Sequence, residues 1–189
     1  MTAAYTTRLH LFTIGHSNRS LEDFLSLLHE FNIRALADIR RFPSSRHFPH
    51  FNRNTLHASL AKNGVHYVWL ETLGGRRRTG LGEASPNKGL TSPQMRNYAD
   101  YLLSTEGEQA IEELLILAAR TTTAVMCAEK FFWRCHRRLL CDCLVARGVQ
   151  VFHILGPCEC RPHRVSSSAA VTPEGKVTHP LVDLFSPRT

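Results

Sequence analysis

Of the stretches of this 189-residue chain whose residue types could do chemistry, the fullest is Thr122–Arg138, TTAVMCAEKFFWRCHRR. Its apolar run Ala124-Val125-Met126-Cys127 is short and flanked by polar residues, the pattern of a buried strand. Glu129 follows where that strand leaves the sheet. Cys135, His136, Arg137 and Arg138 then fall in the first turns of a helix predicted to run to about Ala146. A carboxylate partly desolvated at a strand mouth has a raised pKa and suits general acid–base work. Beside Arg137 or Arg40 it would instead stay ionised and stabilise a developing cation, as in glycosidic cleavage. A structural ion pair is the bland alternative. His16 and Asp38 close two other predicted strands on the same side. The pattern therefore favours three strand ends converging where open α/β sheets bind ligands, with Glu129, Asp38 and His16 as the candidate catalytic residues.

The thiols read differently from one another. Cys135, near a helix start and among arginines, is the candidate nucleophile. Cys127, inside an apolar strand, reads as inert core. His136 on the same helix would point about 100° away from Cys135, so adjacency does not make a Cys–His dyad and His16 is the expected partner. Cys141 and Cys143, two apart on a helix, do not share a face. Cys158, Cys160 and His163, with His153 nearby, form a weak candidate zinc cluster in a Pro-rich turn, without the CxxC pairs of a structural zinc site. Apart from that cluster no cofactor is expected.

Basic and aromatic residues alternate in the loop Phe42–Asn54, where Arg46, His47, His50 and Arg53 are interleaved with Phe42, Phe48 and Phe51. Such texture suits phosphate contact with base stacking by Phe48 and Phe51. It equally suits phenylalanines tucked into the core beneath solvated charges. Arg76, Arg77 and Arg78 follow Leu73-Gly74-Gly75, a pair of glycines that permits close backbone approach. With Arg40, Arg46 and Arg137 they are the candidate phosphate-holding groups. The formal charge of +7 fits a nucleic acid or phosphorylated nucleotide as partner, or simply a basic soluble surface.

The elements that must position these groups follow from periodicity. Leu9–Ile14 reads as a first strand. Ser20 caps a helix whose Leu21, Phe24, Leu25, Leu28 and Phe31 share one face. Ala35–Ile39 is a second strand, which makes a βαβ unit and implies parallel pairing. A helix near 54–63, a strand His66–Leu70, an aperiodic loop 76–92 and helices near 94–103 and 106–120 come next. The Thr122 stretch supplies the fourth strand and its helix, closed by Gly148, and Gln150–Leu155 is a fifth strand. The expected fold is a single α/β domain, Rossmann-like, with a mostly parallel five-stranded sheet flanked by helices. Residues 1–156 hold the site, and residues 157–189 form a C-terminal extension packed on or trailing from it, with a hairpin around Pro173–Lys176. No apolar run reaches the roughly 18–20 residues that span a bilayer, and MTAAYTTRLHLFTIG lacks the features of a signal peptide. Six cysteines in so core-rich a chain read as reduced thiols in the cytoplasm.

Thr13-Ile14-Gly15-His16-Ser17, Asp38-Ile39-Arg40-x-x-Pro43-x-Ser45, Leu73-Gly74-Gly75 and Cys127-Ala128-Glu129 followed by Cys135-His136-Arg137 resemble the signature of the domain of unknown function 488 family. The resemblance covers about Leu9 to Ile154. It implies one α/β domain with these motifs gathered at one end of a parallel sheet, and it supplies no reaction. The leading expectation from the residues is a hydrolase that cleaves an N-glycosidic bond to a modified or damaged base, as DNA glycosylases do, with Phe48 and Phe51 stacking on the extruded base. The alternatives are a non-catalytic DNA- or RNA-binding module and a cysteine-dependent sulfur-transfer or redox enzyme.

Overall fold

Strand β1 (His10–Gly15) lies at the centre of the sheet, paired on both edges and buried from Thr13 to its end. It runs parallel to β4 (Thr123–Cys127) on one side and to β5 (Gln150–Gly156) on the other. Beyond β4 lie β2 (Ala35–Asp38) and β3 (His66–Trp69), also parallel. These strands are short and largely buried, as expected of a parallel sheet covered on both faces. The computed structural model describes residues 9–181; residues 1–8, which open the stretch read as lacking a leader, and residues 182–189 of the C-terminal extension lie outside the described residues.

The sheet has six strands, not five, and is mixed. β6 (Glu159–Pro162) pairs antiparallel with β5, giving the order β3-β2-β4-β1-β5-β6. It comes from the stretch read as an extension, and its sequence ECRP carries no apolar alternation to reveal it. An edge position tolerates Pro162, which has no N–H to donate. The expected hairpin is also present, as β7 (Ala170–Val171) against β8 (Val177–Thr178).

Side-chain alternation along β1 divides the core. Leu11 packs with α3 (Pro93–Leu102), α4 (Thr105–Arg120) and α5 (Arg137–Ala146) on one face. Ile14 packs with α1 (Leu21–Glu30) and α2 (Arg53–Lys62) on the other. Helix α1 starts where its cap predicts, with Ser20 Oγ accepting the Asp23 amide at 3.0 Å. The predicted helix bounds hold within one or two residues, and at its start α5 differs in kind. A 3₁₀ turn, Phe132–Arg134, and an extended Cys135 (φ −132°, ψ 153°) precede it. The aperiodic segment 76–92 is tied down by Asp100, whose carboxylate accepts from the Leu81 amide, Ser85 Oγ and Asn87 Nδ2.

The end of β2 is fixed by a buried ionic cluster. Asp38 accepts from the Arg40 amide at 3.0 Å, from Arg40 Nε and Nη2, and from Tyr67 Oη at 2.7 Å. Arg40 Nη2 also donates to the Phe51 carbonyl at 2.8 Å, which pins the Phe42–Asn54 loop to the sheet. Removing one member of such a pair strands the other charge without water. Asp38→Ala should therefore cost about 3–5 kcal/mol, and Tyr67→Phe about 1–3 kcal/mol, both read from urea denaturation midpoints.

Candidate active site

The carboxyl ends of β1, β2 and β4 open onto two adjoining clefts of about 500 and about 570 Å³. Glu129, Ala128, Arg134, Arg40, Phe42 and Ser44 line both. Cys127, Cys135 and His136 line the first cleft together with Arg41 and Arg76. His16, Phe48 and Phe131 face the second. A third, wider depression, lined by Arg41, Arg76, Arg77 and Arg78, continues from the first, so one basic groove leads to the thiols.

The two sulfurs lie 2.9 Å apart, buried and not joined in a disulfide. Cys127 is therefore not inert core: it ends β4 facing the cleft, and the chain returns through the 3₁₀ turn to set Cys135 against it. Cys135 Sγ also accepts the Arg137 amide at 3.4 Å and lies 3.5 Å from His136 Nδ1. The dyad dismissed on helical spacing is thus present, because Cys135 is extended rather than helical. The hydrogen-bonded contact with Cys127 is the main cause lowering the Cys135 thiol below its ordinary value, with His136 and Arg137 contributing. Burial pushes Cys127 well above its ordinary value. Of the two thiols, Cys135 is thus the one whose ionisation the surroundings favour.

Two glycines make this packing fit. A Cβ on Gly15 would fall 1.8 Å from the Glu129 carbonyl oxygen, so the loop leaving β4 lies directly on the end of β1. A Cβ on Gly75 would fall 2.3 Å from His136 Cγ. The close approach allowed by Gly74-Gly75 is therefore made to the protein's own imidazole. His136 also meets the Tyr98 ring edge-on at 5.0 Å, and its Nε2 is buried without a hydrogen-bond partner among the described residues.

The other expected site residues separate into buried and open groups. Arg137, only 1% exposed, donates to Thr13 Oγ1 at 3.3 Å and to the carbonyls of Glu129 and Lys130. Its guanidinium is committed to these internal acceptors, whereas Arg40, bonded to Asp38 and the Phe51 carbonyl, still borders both clefts. Asp38 spends its acceptors on Arg40 and Tyr67 and lines neither cleft. Phe51 is fully buried, stacked on His16 at 4.3 Å, and cannot receive a base. Phe48 is half-buried against the second cleft. Glu129 is exposed on the wall between the clefts, so the desolvation expected of it is absent. Arg46, Arg76 and Arg78 are exposed, whereas the Arg77 guanidinium lies over the Tyr101 ring at 3.4 Å.

Cys158 and Cys160 do not gather with His163. Cys158 sits in the exposed β5–β6 turn, and the pleat sends Cys160 to the Ile14 face of the sheet. His163 instead meets His153. Sequence reasoning overlooked Arg41 and Arg134. Arg41 follows the buried Arg40 and turns outward, pairing with Glu71 at 2.9 Å. For Arg134 the only signal was its charge.

A family model described as "Domain of unknown function DUF488" matches residues 20–144. No curated protein and no solved structure matches the chain.

His16 carries a measurable pH signature. Its Nδ1–H donates to the Ser17 carbonyl at 2.9 Å, leaving Nε2 to accept from Arg40 Nη1 at 3.3 Å. Burial, then the charge of Arg40, holds its pKa down to about 4 from the ordinary 6.5. The folded state thus resists a proton that the unfolded chain takes up. This contribution is full above pH 6.5 and is lost as pH falls toward 4, by roughly 3 kcal/mol. Denaturation of the wild type and of His16→Gln across that window should show the wild type losing more stability, and the His16 ring resonances should titrate near pH 4.

Proposed function

From the premise that the chain belongs to the DUF488 family, whose description names no reaction, we propose that it is a cysteine-dependent oxidoreductase acting on a small anionic substrate. The carrying observation is the 2.9 Å approach of Cys127 and Cys135 in the basic cleft. A thiolate beside a protonated thiol is the resting form of a dithiol that can deliver two electrons. Cys135 attacks an electrophilic sulfur of the substrate, R–S–X, expelling X⁻ and forming the mixed disulfide Cys135–S–S–R. Cys127 then loses its proton to the departing group or to solvent and attacks Cys135 Sγ. This releases RS⁻ and leaves a Cys127–Cys135 disulfide. The substrate gains two electrons, and an external dithiol returns them to the protein. Arg41, Arg76 and Arg134, which line the first cleft, hold the negative charge of the substrate. A cleft of about 500 Å³ suits a metabolite or nucleotide-sized ligand better than a polymer.

The N-glycosidic reading keeps one observation in its favour: Glu129 and His16 face a common cleft whose walls include Phe48 and Phe131. It loses Asp38 and Phe51 to structural roles, and a neutral His16 is a poor general acid. Base release from a modified oligonucleotide that disappears in Glu129→Gln and persists in Cys135→Ser would favour it over the dithiol mechanism.

The dithiol proposal is tested with a chromogenic anionic aryl disulfide and a reducing dithiol. Cys135→Ser should abolish turnover. Cys127→Ser should stop after the first step, with the mixed disulfide visible as added mass on the intact protein. Alkylation of Cys135 in the wild type should stay nearly flat from about pH 5 to about pH 8, where an ordinary thiol accelerates steeply. Full turnover by Cys135→Ser, or an alkylation midpoint near that of a free thiol, overturns it.

A further inference from the structure

On the far side of Arg137 from the thiols lies a second, fully buried cluster that the reaction above does not use. We infer that Cys141, His153 and His163 form a binding site for a divalent transition-metal ion of the zinc class. Their donor atoms lie within 4.8 Å of one another, and all three residues are buried. They come from three separate parts of the chain: α5, β5 and the residue just after β6.

The orientation of the imidazoles is what points to a metal. His153 Nε2 and His163 Nδ1 face each other at 2.9 Å. The remote nitrogen of each ring is fixed from behind: His163 Nε2 by Asp142 Oδ1 at 2.9 Å, and His153 Nδ1 by Thr13 Oγ1 at 2.7 Å. A carboxylate or hydroxyl behind the non-ligating nitrogen is how metal-binding histidines are held in orientation. The Phe132 ring lies flat on His153, with centroids 3.4 Å apart, so this imidazole cannot swing away. Without metal, a single proton bridges the two nitrogens. Replacing it with zinc at Zn–N distances of about 2.0–2.1 Å sets tetrahedral nitrogens roughly 3.4 Å apart, an opening of about half an ångström. The Cys141 sulfur, deprotonated on binding, completes a Cys-His-His set and leaves the fourth position to water.

The site is independent of the thiol chemistry but touches it, because Thr13 Oγ1 also accepts from Arg137. The test uses the full chain without assay of turnover. Protein dialysed against a chelator is titrated with Co²⁺, and protein as purified is analysed for metal by mass spectrometry. The expected results are near-stoichiometric zinc, a sulfur-to-cobalt charge-transfer band and visible bands of tetrahedral strength. Cys141→Ala should lose the charge-transfer band. Asp142→Asn, which disturbs the support behind His163 together with the Asp142 bonds to Ser166 and His179 while leaving all three ligands in place, should weaken metal affinity about 10–100-fold. Folded wild-type protein that shows neither zinc nor any cobalt band overturns the inference. So does a charge-transfer band that survives Cys141→Ala and vanishes in Cys135→Ser, which would assign the metal to the other pair of thiols.

Discussion

A guanidinium sealed from water needs something negative beside it, and Arg137 has no carboxylate partner among the described residues. What it has is two backbone carbonyls of the loop leaving β4, one threonine hydroxyl from β1, and the Cys135 sulfur reached through its own amide. Carbonyl dipoles soften the desolvation cost without cancelling the charge. The Cys135 sulfur is the remaining group beside it on which negative charge is favoured, and the arginine in turn helps to lower that thiol. The bonds from Arg137 to the Glu129 and Lys130 carbonyls hold that loop where it packs on Gly15.

The basic excess of the chain is therefore sorted by depth. Arg40 and Arg137 are internal, each committed to several acceptors, and they shape the ends of β2 and β4. Arg76, Arg78 and Arg134 are exposed along the groove and keep their hydrogen-bonding capacity for something that arrives from solvent. A count of charges cannot separate these two populations, since each is drawn from loops, turns and helix starts alike. At the end of β2 two successive residues divide in this way. Arg40 points back toward Asp38, and the next residue along points out.

Much of the fold could be read from the chain. The five parallel strands, the Ser20 cap, the Gly148 stop and the 173–176 hairpin rest on local patterns that tertiary packing reinforces. The edge strand β6 could not be read, because its four residues take their conformation from pairing with β5 rather than from their own preferences. In the site, the convergence of the ends of β1, β2 and β4 was visible in the motifs, but the roles were not. Cys127 looked like core because a buried strand was the right reading of its neighbours, and nothing local says that its last residue faces a cleft. The Cys135–His136 contact was missed by starting the helix at Cys135, two residues too early. The two aromatic residues proposed for stacking divided because Phe51 caps the His16 ring, while Phe48 stays at the cleft wall.

The antiparallel return through β6 has one more consequence. The segment by which kinship is recognised stops at residue 144, yet the sheet continues through β5, and His163 lies beyond even β6. A chain ending at that match would leave β1, the strand beside β5, with a bare flank able to zip onto the same flank of another molecule. What must fold together is therefore longer than what is recognisably inherited, and the closing hairpin acts as a selvedge that keeps the weave from unravelling into aggregates.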